Sequence, residues 1–218
     1  MFFSRKVLYV IYTQGTRQLM TSLDDLIEKA RDLRTEGHSP GQIADELSLS
    51  LETVTWLLTQ DNITHSCESP RDVHIDWTHV SSDAILLEQS AMMLTRLFTT
   101  HTKLPPPTTI VGIAISGIPL ATCMATTLKS RLAIFHPAKH NADHVTGSLS
   151  GNFAGVKGET CLVVDDVITS GKTLHDVIRY LRSRDATPIG CCVLFDKRGI
   201  RYIDEIDICS LYSISRID

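Results

Sequence analysis

The segment from Cys161 to Thr173 constrains the fold of this chain more than any other part of it. Its apolar start, Cys161–Val164, predicts a buried strand, and two adjacent carboxylates, Asp165 and Asp166, follow directly. A polar loop is predicted over 165–172, and an amphipathic helix over 173–184. A strand, a turn and a helix in this order predict a phosphate cradle, because a helix N-terminus presents main-chain N–H groups to an anion. The spacing is not that of a Walker A loop.

Each residue of this cradle has a predicted role. Glycine lets the main chain approach a ligand closely, hydroxyl side chains add donors, and the two carboxylates can accept hydrogen bonds from vicinal ribose hydroxyls. The carboxylates could also help to hold a hydrated Mg²⁺ between sugar and phosphate. The predicted ligand-binding residues of this segment are Asp165, Asp166, Thr169, Ser170, Gly171, Lys172 and Thr173.

From residue 83 onward, helical patterns alternate with β-branched runs. A helix capped at Ser82-Asp83 is expected to bury Ile85, Leu86, Met93, Leu94 and Leu97. Further strands are predicted over 110–115, 132–135, 189–195 and 206–214, with Pro119 opening a helix that runs to about residue 129. This alternation predicts an α/β domain over 83–218 with a mainly parallel sheet and flanking helices.

Residues 21–66 are predicted to form a small helical DNA-binding domain. Helices over 24–36, 40–47 and 51–60 are indicated by serine caps, by Pro40 and by the stop at Gly37-His38. A small Ala44, a tight turn and apolar Val54 and Leu57 are typical of a helix-turn-helix. Its outward face, where DNA contacts are expected, carries Ser50, Leu51, Glu52, Thr55, Trp56 and Thr59.

The charge of these helices is unfavourable for DNA. Between residues 24 and 60 there are three basic and eight acidic side chains, a net charge of −5. Phosphate attraction supplies much of DNA affinity, so this unit alone should bind weakly. A three-helix dimerisation or docking module is the alternative. Residues 67–82 are expected to be a linker, with Val73–Ile75 and Ile63–His65 able to pair as a β-hairpin wing.

Composition excludes several classes of protein. The chain has 218 residues, 43% of them hydrophobic, and a net charge of −4, which excludes wholesale disorder and a uniformly basic nucleic-acid coat. No apolar run reaches the roughly 18 residues of a membrane helix. The six cysteines form no CxxC pair and indicate free thiols in a reducing cytoplasm. Residues 1–20 are expected to be an extension, with Met20 as the physiological start.

The motif Val163–Thr173 resembles the phosphoribosyl pyrophosphate (PRPP) signature of type I phosphoribosyltransferases. The resemblance implies that Asp165 and Asp166 face the ribose hydroxyls and that Thr169–Thr173 hold the 5′-phosphate, with Mg²⁺ if PRPP is bound. The segment 114–121 is similar to the pyrophosphate loop of orotate phosphoribosyltransferases, and it places Ser116 and Gly117 at the ligand. Ser116 stands where those enzymes usually carry lysine, and it argues against efficient transfer because a leaving pyrophosphate needs positive charge. In the stretch that resembles their mobile hood, Lys139 is the candidate phosphate contact, and the candidate catalytic cation if the chain is an enzyme.

A helix-turn-helix followed by such a domain resembles the archaeal transcriptional regulators of the GfcR type, which are linked to sugar catabolism. The resemblance runs from about Leu23 to Asp218 and includes S-G-I-P-L-A and V-V-D-D-V-I-T-S-G-K-T. It implies a cytoplasmic homodimer that binds promoter DNA and whose old substrate pocket senses a phosphorylated sugar or PRPP, with no cofactor required for regulation. The alternatives are a Mg²⁺-dependent phosphoribosyltransferase that joins PRPP to orotate or another base, and a protein–protein adaptor.

Overall fold

The computed structural model describes residues 22–60, 70, 72–138 and 147–215. Three helices come first, and each begins after a serine whose side chain accepts a main-chain hydrogen bond from the first turn. They confirm the helices predicted from the sequence to within one residue. Their bounds are α1 (Leu23–Thr35), α2 (Pro40–Leu47) and α3 (Leu51–Thr59).

These three helices share a small apolar core. Ile43, Val54 and Leu57 are buried in it, and Ala44 lies where larger side chains would keep α2 from its neighbours. Ser48 ends α2 in the left-handed region at φ 51°, so a serine fills the position that often carries glycine. We refer to residues 22–60 as the helical unit.

The segment after the helical unit contains no wing strand in its described part. Residues 72–77 have no regular secondary structure, and a short helix, α4 (Thr78–Ser81), follows them. The expected strand at Val73–Ile75 does not form. The side chains of Asp72 and His74, on either side of Val73, bond to the helical unit and hold the linker against it rather than beside a second strand. Its expected partner, Ile63–His65, lies outside the described residues.

The remaining described residues form the predicted α/β domain around one mainly parallel sheet. Its elements are α5 (Ala84–His101), β1 (Thr109–Ile113), α6 (Gly117–Leu128), β2 (Arg131–His136), β3 (Ser148–Leu149), β4 (Thr160–Ile168), α7 (Lys172–Ser183), β5 (Thr187–Asp196), β6 (Tyr202–Ile203) and β7 (Ile206–Ser213).

The strand order of the sheet is β3-β2-β1-β4-β5-β7-β6, and among the described residues only the short β3 and β6 pair antiparallel to their neighbours. The chain leaves β1 toward β2 on one side and later adds β4 and β5 on the other, so the order reverses between β1 and β4. Ligands of such sheets bind in the crevice beyond the carboxyl ends of the strands at this reversal.

Helices cover both faces of this sheet. On one face α5 and α6 pack through Leu94, Phe98, Leu120 and Met124 against the apolar strands. On the other face α7 packs through its buried side chains, among them Leu181. None of the helices in the described residues has the length and apolar content needed to span a lipid bilayer.

The structure corrects several sequence-based boundaries. Strand β4 does not end before the carboxylates but continues through Asp165 and Asp166 to Ile168. Helix α6 begins at Gly117, two residues before Pro119, and the short strands β3 and β6 were not predicted. Helix α5 leaves Ile85 exposed, and Leu86 and Met93 with it, because it turns a face centred on Leu94 toward the core.

Candidate functional site

Two carboxylates lie at the C-terminal end of the central strand β4. Asp166 is buried and Asp165 is half-buried, and both line the crevice at the reversal of strand order. The Oδ1 atom of Asp165 accepts a hydrogen bond from the main-chain N–H of Asp166 at 3.0 Å. Burial, and then the neighbouring charge of Asp166, raise the pKa of Asp165 well above its usual range, and Asp45 of α2 adds to this effect. The pair is therefore suited to binding hydroxyl groups or a shared cation, either of which would relieve its repulsion.

The loop between β4 and α7 presents main-chain donors to the same crevice. The N–H groups of Thr169, Ser170 and Gly171 have no hydrogen-bond partner among the residues that the structure describes. Gly171 has φ +79°, a left-handed conformation that a side chain would strain, and it caps the N-terminus of α7. Successive free N–H groups before a helix N-terminus are of the kind that binds anions, so this loop stays the predicted phosphate site.

The loop between β1 and α6 forms the neighbouring wall. Ser116 Oγ donates a hydrogen bond of 2.7 Å to Asp166 Oδ1, and the Ala114–Ile115 peptide is cis. Gly117 is buried so closely against β4 that an added Cβ would lie 2.5 Å from the carbonyl oxygen of Val164. Glycine at this position therefore allows the β1–α6 loop to pack against β4, and the Ser116 hydroxyl links this loop to Asp166.

A cleft of about 580 Å³ joins these elements. Of the ligand-binding residues predicted from the sequence, it is lined by Ser116, Asp165, Asp166, Thr169, Gly171 and Thr173. Gly117, Ser170 and Lys172 lie beside this lining rather than in it. Lys139, the candidate hood cation, lies outside the described residues.

The opposite wall of the cleft comes from the helical unit, which the sequence did not suggest. Its lining residues there are Lys29, His38, Gln42, Asp45, Glu46 and Ser48. The predicted effector site and the predicted DNA-binding unit therefore share one cavity, because α2 stands over the carboxyl ends of the strands.

His74 is a further cleft residue that sequence reasoning missed. Its Nδ1 lies 3.1 Å from the carbonyl oxygen of Leu47, which can only accept, so Nδ1 carries the proton and Nε2 is an acceptor. Nε2 is buried without a hydrogen-bond partner among the described residues. Burial is the main cause that lowers the pKa of His74 and favours this neutral form. His74 therefore lines the cleft as a neutral side chain, and no sequence pattern around it signals this position.

The carboxylate pair could contribute to a Mg²⁺ site but could not complete one. The described residues contain no group of three or more histidine, cysteine, aspartate or glutamate side chains arranged to hold a metal. Mg²⁺ requires six oxygen ligands, so Asp165 and Asp166 would hold it only together with water and the oxygens of a bound ligand. The donor set fits an ion that arrives with a phosphorylated sugar.

The predicted DNA-facing surface on α3 is only partly available. Leu51, Glu52, Thr55 and Thr59 are exposed, as predicted. The hydroxyls of Thr55 and Thr59 donate to main-chain carbonyls of their own helix but keep accepting capacity.

Ser50 and Trp56 are less exposed than predicted for the DNA-facing side of α3. Ser50 is half-buried, and its main-chain N–H donates to Asp72 Oδ2 at 2.7 Å. Trp56 is half-buried against the core of the helical unit, and its Nε1 has no partner among the described residues. These two side chains are therefore less accessible to DNA than the α3 pattern alone predicts, because the linker and the core cover them.

Comparison with known proteins agrees with this architecture. The family model described as "Phosphoribosyl transferase domain" matches residues 88–215. The transcriptional regulator GfcR of Methanospirillum hungatei is 60% identical over 201 residues, which cover 91% of this chain and 100% of that protein. GfcR of Methanosphaerula palustris is 54% identical over 209 residues with the same two coverages.

Solved structures share the fold at low sequence identity. Orotate phosphoribosyltransferase from Aeropyrum pernix has a TM-score of 0.52 and 20% identity, covering 85% of this chain and 93% of its own. Adenine phosphoribosyltransferase from Thermoanaerobacter pseudethanolicus has a TM-score of 0.53 and 19% identity, covering 65% of this chain and 89% of its own. These similarities show a fold of the type I phosphoribosyltransferase kind.

Proposed function

Because the chain belongs to the GfcR family of transcriptional regulators and carries a phosphoribosyl transferase domain, we propose that its cleft senses a phosphorylated sugar and that its helical unit binds promoter DNA. The observation that carries this proposal is the shared cavity. Asp165, Asp166 and the N–H groups of the β4–α7 loop form one wall, and α2 of the helical unit forms the other. A ligand in this cavity would contact both parts, so its binding would differ between two arrangements of them.

The chemistry of the cleft favours a sugar with one phosphate. The loop N–H groups suit the phosphate, and Asp165 and Asp166 suit hydroxyl groups. A second phosphate would lie toward the β1–α6 loop, where Ser116 offers a hydroxyl already bonded to Asp166. PRPP with Mg²⁺ is therefore the less favoured effector, and Mg²⁺ is needed only with it.

The presence of Ser116 in the β1–α6 loop also argues against the transferase alternative. Departure of pyrophosphate needs positive charge at that loop, and a serine hydroxyl provides none. A base-dependent release of pyrophosphate from PRPP at about 1 s⁻¹ or faster would be in the ordinary enzyme range and would favour that alternative.

We further propose that the protein acts as a homodimer on inverted-repeat DNA. Two copies would present two α3 helices to successive major grooves. Helix α5 exposes Ile85, Leu86, Met92 and Met93 on one side, and an apolar face of this kind is typical of a contact with a second copy. The dimer would also offset the weak DNA attraction expected of one helical unit, because two units would bind the same site.

Ligand-induced stabilisation tests the sensing proposal. We expect ribose 5-phosphate or a related sugar monophosphate, at about 100 times its Kd, to stabilise the wild type by about 2.7 kcal/mol and raise the Tm by about 5–11 °C. Asp165→Asn should remove most of this shift. Asp185→Asn, at an exposed turn away from the cleft, should keep it. An equal shift in both variants would contradict the assignment of the cleft, as would a panel of sugar phosphates without any effect.

Genome-wide crosslinking occupancy tests the DNA proposal and requires no assumed binding sequence. Discrete promoter peaks that share an inverted repeat are expected for the wild type. A flat profile on several carbon sources would contradict it and would make the transferase assay the next experiment.

A further inference from the structure

We propose that Asp72 and Lys197 form a bridge between the β4–α7 loop (residues 169–171, called the phosphate loop below) and the N-terminus of α3, the helix expected to read DNA. The inference rests on the proposed function, since it names how the effector cleft would control DNA binding. Asp72 lies in the linker and Lys197 follows β5, so the bridge joins the two parts of the molecule. Both are positioning residues, because neither lines the cleft.

At the α3 end, Asp72 holds the first turn of the helix. Its Oδ2 atom accepts hydrogen bonds from the Ser50 N–H at 2.7 Å and from the Thr53 hydroxyl at 2.9 Å. A carboxylate at a helix N-terminus is stabilised by the helix dipole as well as by these donors. The position of α3 is therefore tied to that of Asp72, and a DNA phosphate cannot use the Ser50 N–H while the contact is made.

In the centre of the bridge, Lys197 joins Asp72 to the turn between α2 and α3. Lys197 Nζ lies 2.6 Å from Asp72 Oδ1 and donates to the carbonyl oxygen of Ser48 at 2.9 Å. The side chains of Lys197 and Asp72 are only 7% and 13% exposed. Burial tends to raise the pKa of Asp72, but the hydrogen bonds from Lys197 and Ser50 outweigh it and the pKa is lowered. A buried pair of this kind is costly to break, because separation leaves uncompensated charge.

At the other end of the bridge, the turn formed by residues 196–199 holds the phosphate loop. The main-chain N–H of Lys197 donates to the carbonyl oxygen of Ile168 at 3.1 Å, and the Arg198 guanidinium donates to that of Ser170. Buried Asp196 fixes the turn by accepting the N–H groups of Arg198 and Gly199. The contacts thus run without a gap from the phosphate loop through residues 196–199 to Asp72 and α3.

This continuity distinguishes the bridge from the contact that His74 of the linker makes to the helical unit. His74 bonds to the Leu47 carbonyl, but that contact does not involve residues 196–199. A shift of the phosphate loop on ligand binding would move Lys197 directly, and the buried pair would pass this shift to α3.

Hydrogen exchange of the full-length protein tests the bridge without any ligand. Lys197→Met keeps the aliphatic stem and leaves Asp72 bonded to Ser50 and Thr53, so the fold should survive. We expect main-chain exchange to become about tenfold faster both in residues 50–57 and in residues 196–200, which corresponds to about 1.4 kcal/mol. Lys157→Met, an exposed lysine of a distant loop, should change neither segment. A response on one side of the bridge only would overturn the proposal.

A second comparison uses ribose 5-phosphate as the probe. In the wild type it should slow exchange at 169–173 and also change exchange at 50–57. In Lys197→Met the first effect should persist and the second should be lost. An equal change at 50–57 in both proteins would overturn the bridge. If 169–173 respond in neither protein, the proposed effector class fails, while the ligand-free comparison still decides the bridge.

A double variant covers the case in which Lys197→Met loosens the whole chain. Asp72→Asn combined with Lys197→Met leaves no unpaired charge, and replacing both partners of a buried pair is often tolerated. The amide oxygen of the new side chain can still accept from α3, so only the link to residues 196–200 is cut. The same two segments should exchange faster, and unchanged exchange in both would overturn the proposal.

Discussion

Replacing Gly117 by alanine should destabilise the protein through a single methyl group. The added Cβ would lie 2.5 Å from the carbonyl oxygen of Val164 and 3.0 Å from the Cα of Asp165. Overpacking typically costs about 1–3 kcal/mol, and the upper end applies here because the neighbours are main-chain atoms of β4, which is paired on both sides. The better helix propensity of alanine at the start of α6 offsets at most about 1 kcal/mol of this loss. The expected net loss is about 2 kcal/mol.

The measurement is thermal unfolding of the variant beside the wild type. For a chain of this size, a loss of about 2 kcal/mol should lower the Tm by about 4–8 °C. Gly155→Ala is the matched control, because an added Cβ there meets nothing within 4 Å and the φ angle is not positive. It should stay within about 0.5 kcal/mol of the wild type. A Gly117→Ala variant that melts with this control would refute the close contact between the β1–α6 loop and β4.

Two further predictions follow from the bridge and from α5. The pKa of Asp72 is lowered in the folded protein, so its contribution to stability is complete above the ordinary value of 3.8 and is lost as pH falls through the folded pKa. Chemical denaturation should therefore show the gap in unfolding free energy between wild type and Asp72→Asn shrinking as pH falls from about 5 toward 3; a gap that is constant with pH would contradict the ion pair. Met92→Glu on the exposed face of α5 should convert the proposed dimer to a monomer in light scattering, whereas Thr126→Glu on an exposed face of α6 should not; an unchanged mass for Met92→Glu would exclude this face as the interface.

Local sequence signals were sufficient for most elements. Serine caps and Pro40 predicted the three helices of the helical unit to within one residue, because these residues act on main-chain groups a few positions away. The start of α7 was also predicted to within one residue, since Gly171 and its hydroxyl neighbours carry the geometry of the turn before it.

Features that depend on distant contacts were not predictable. Strand β4 continues through Asp165 and Asp166 because β5 pairs with it there, although carboxylates alone suggest a loop. Large apolar side chains also lie on an exposed side of α5, among them Ile85 and Met93, so periodicity did not single out the buried face. The contact of Lys197 with Ser48 spans 149 residues, and neither residue carries a local signal for it.

The linker is fixed both to α3 and to the sheet domain, and this limits how segments can be exchanged between related proteins. Asp72 is fixed to α3, while Trp77 packs edge-on against Phe195 of the sheet domain at 6.3 Å between ring centroids. A chimera joined between residues 72 and 77 would separate Asp72 from Lys197, whereas one joined before residue 72 would keep both this pair and the Trp77–Phe195 contact. Regulators of this architecture should therefore recombine productively only when residues 72–77 and 195–198 come from the same parent, so that the linker limits which helical unit can be joined to which sheet domain.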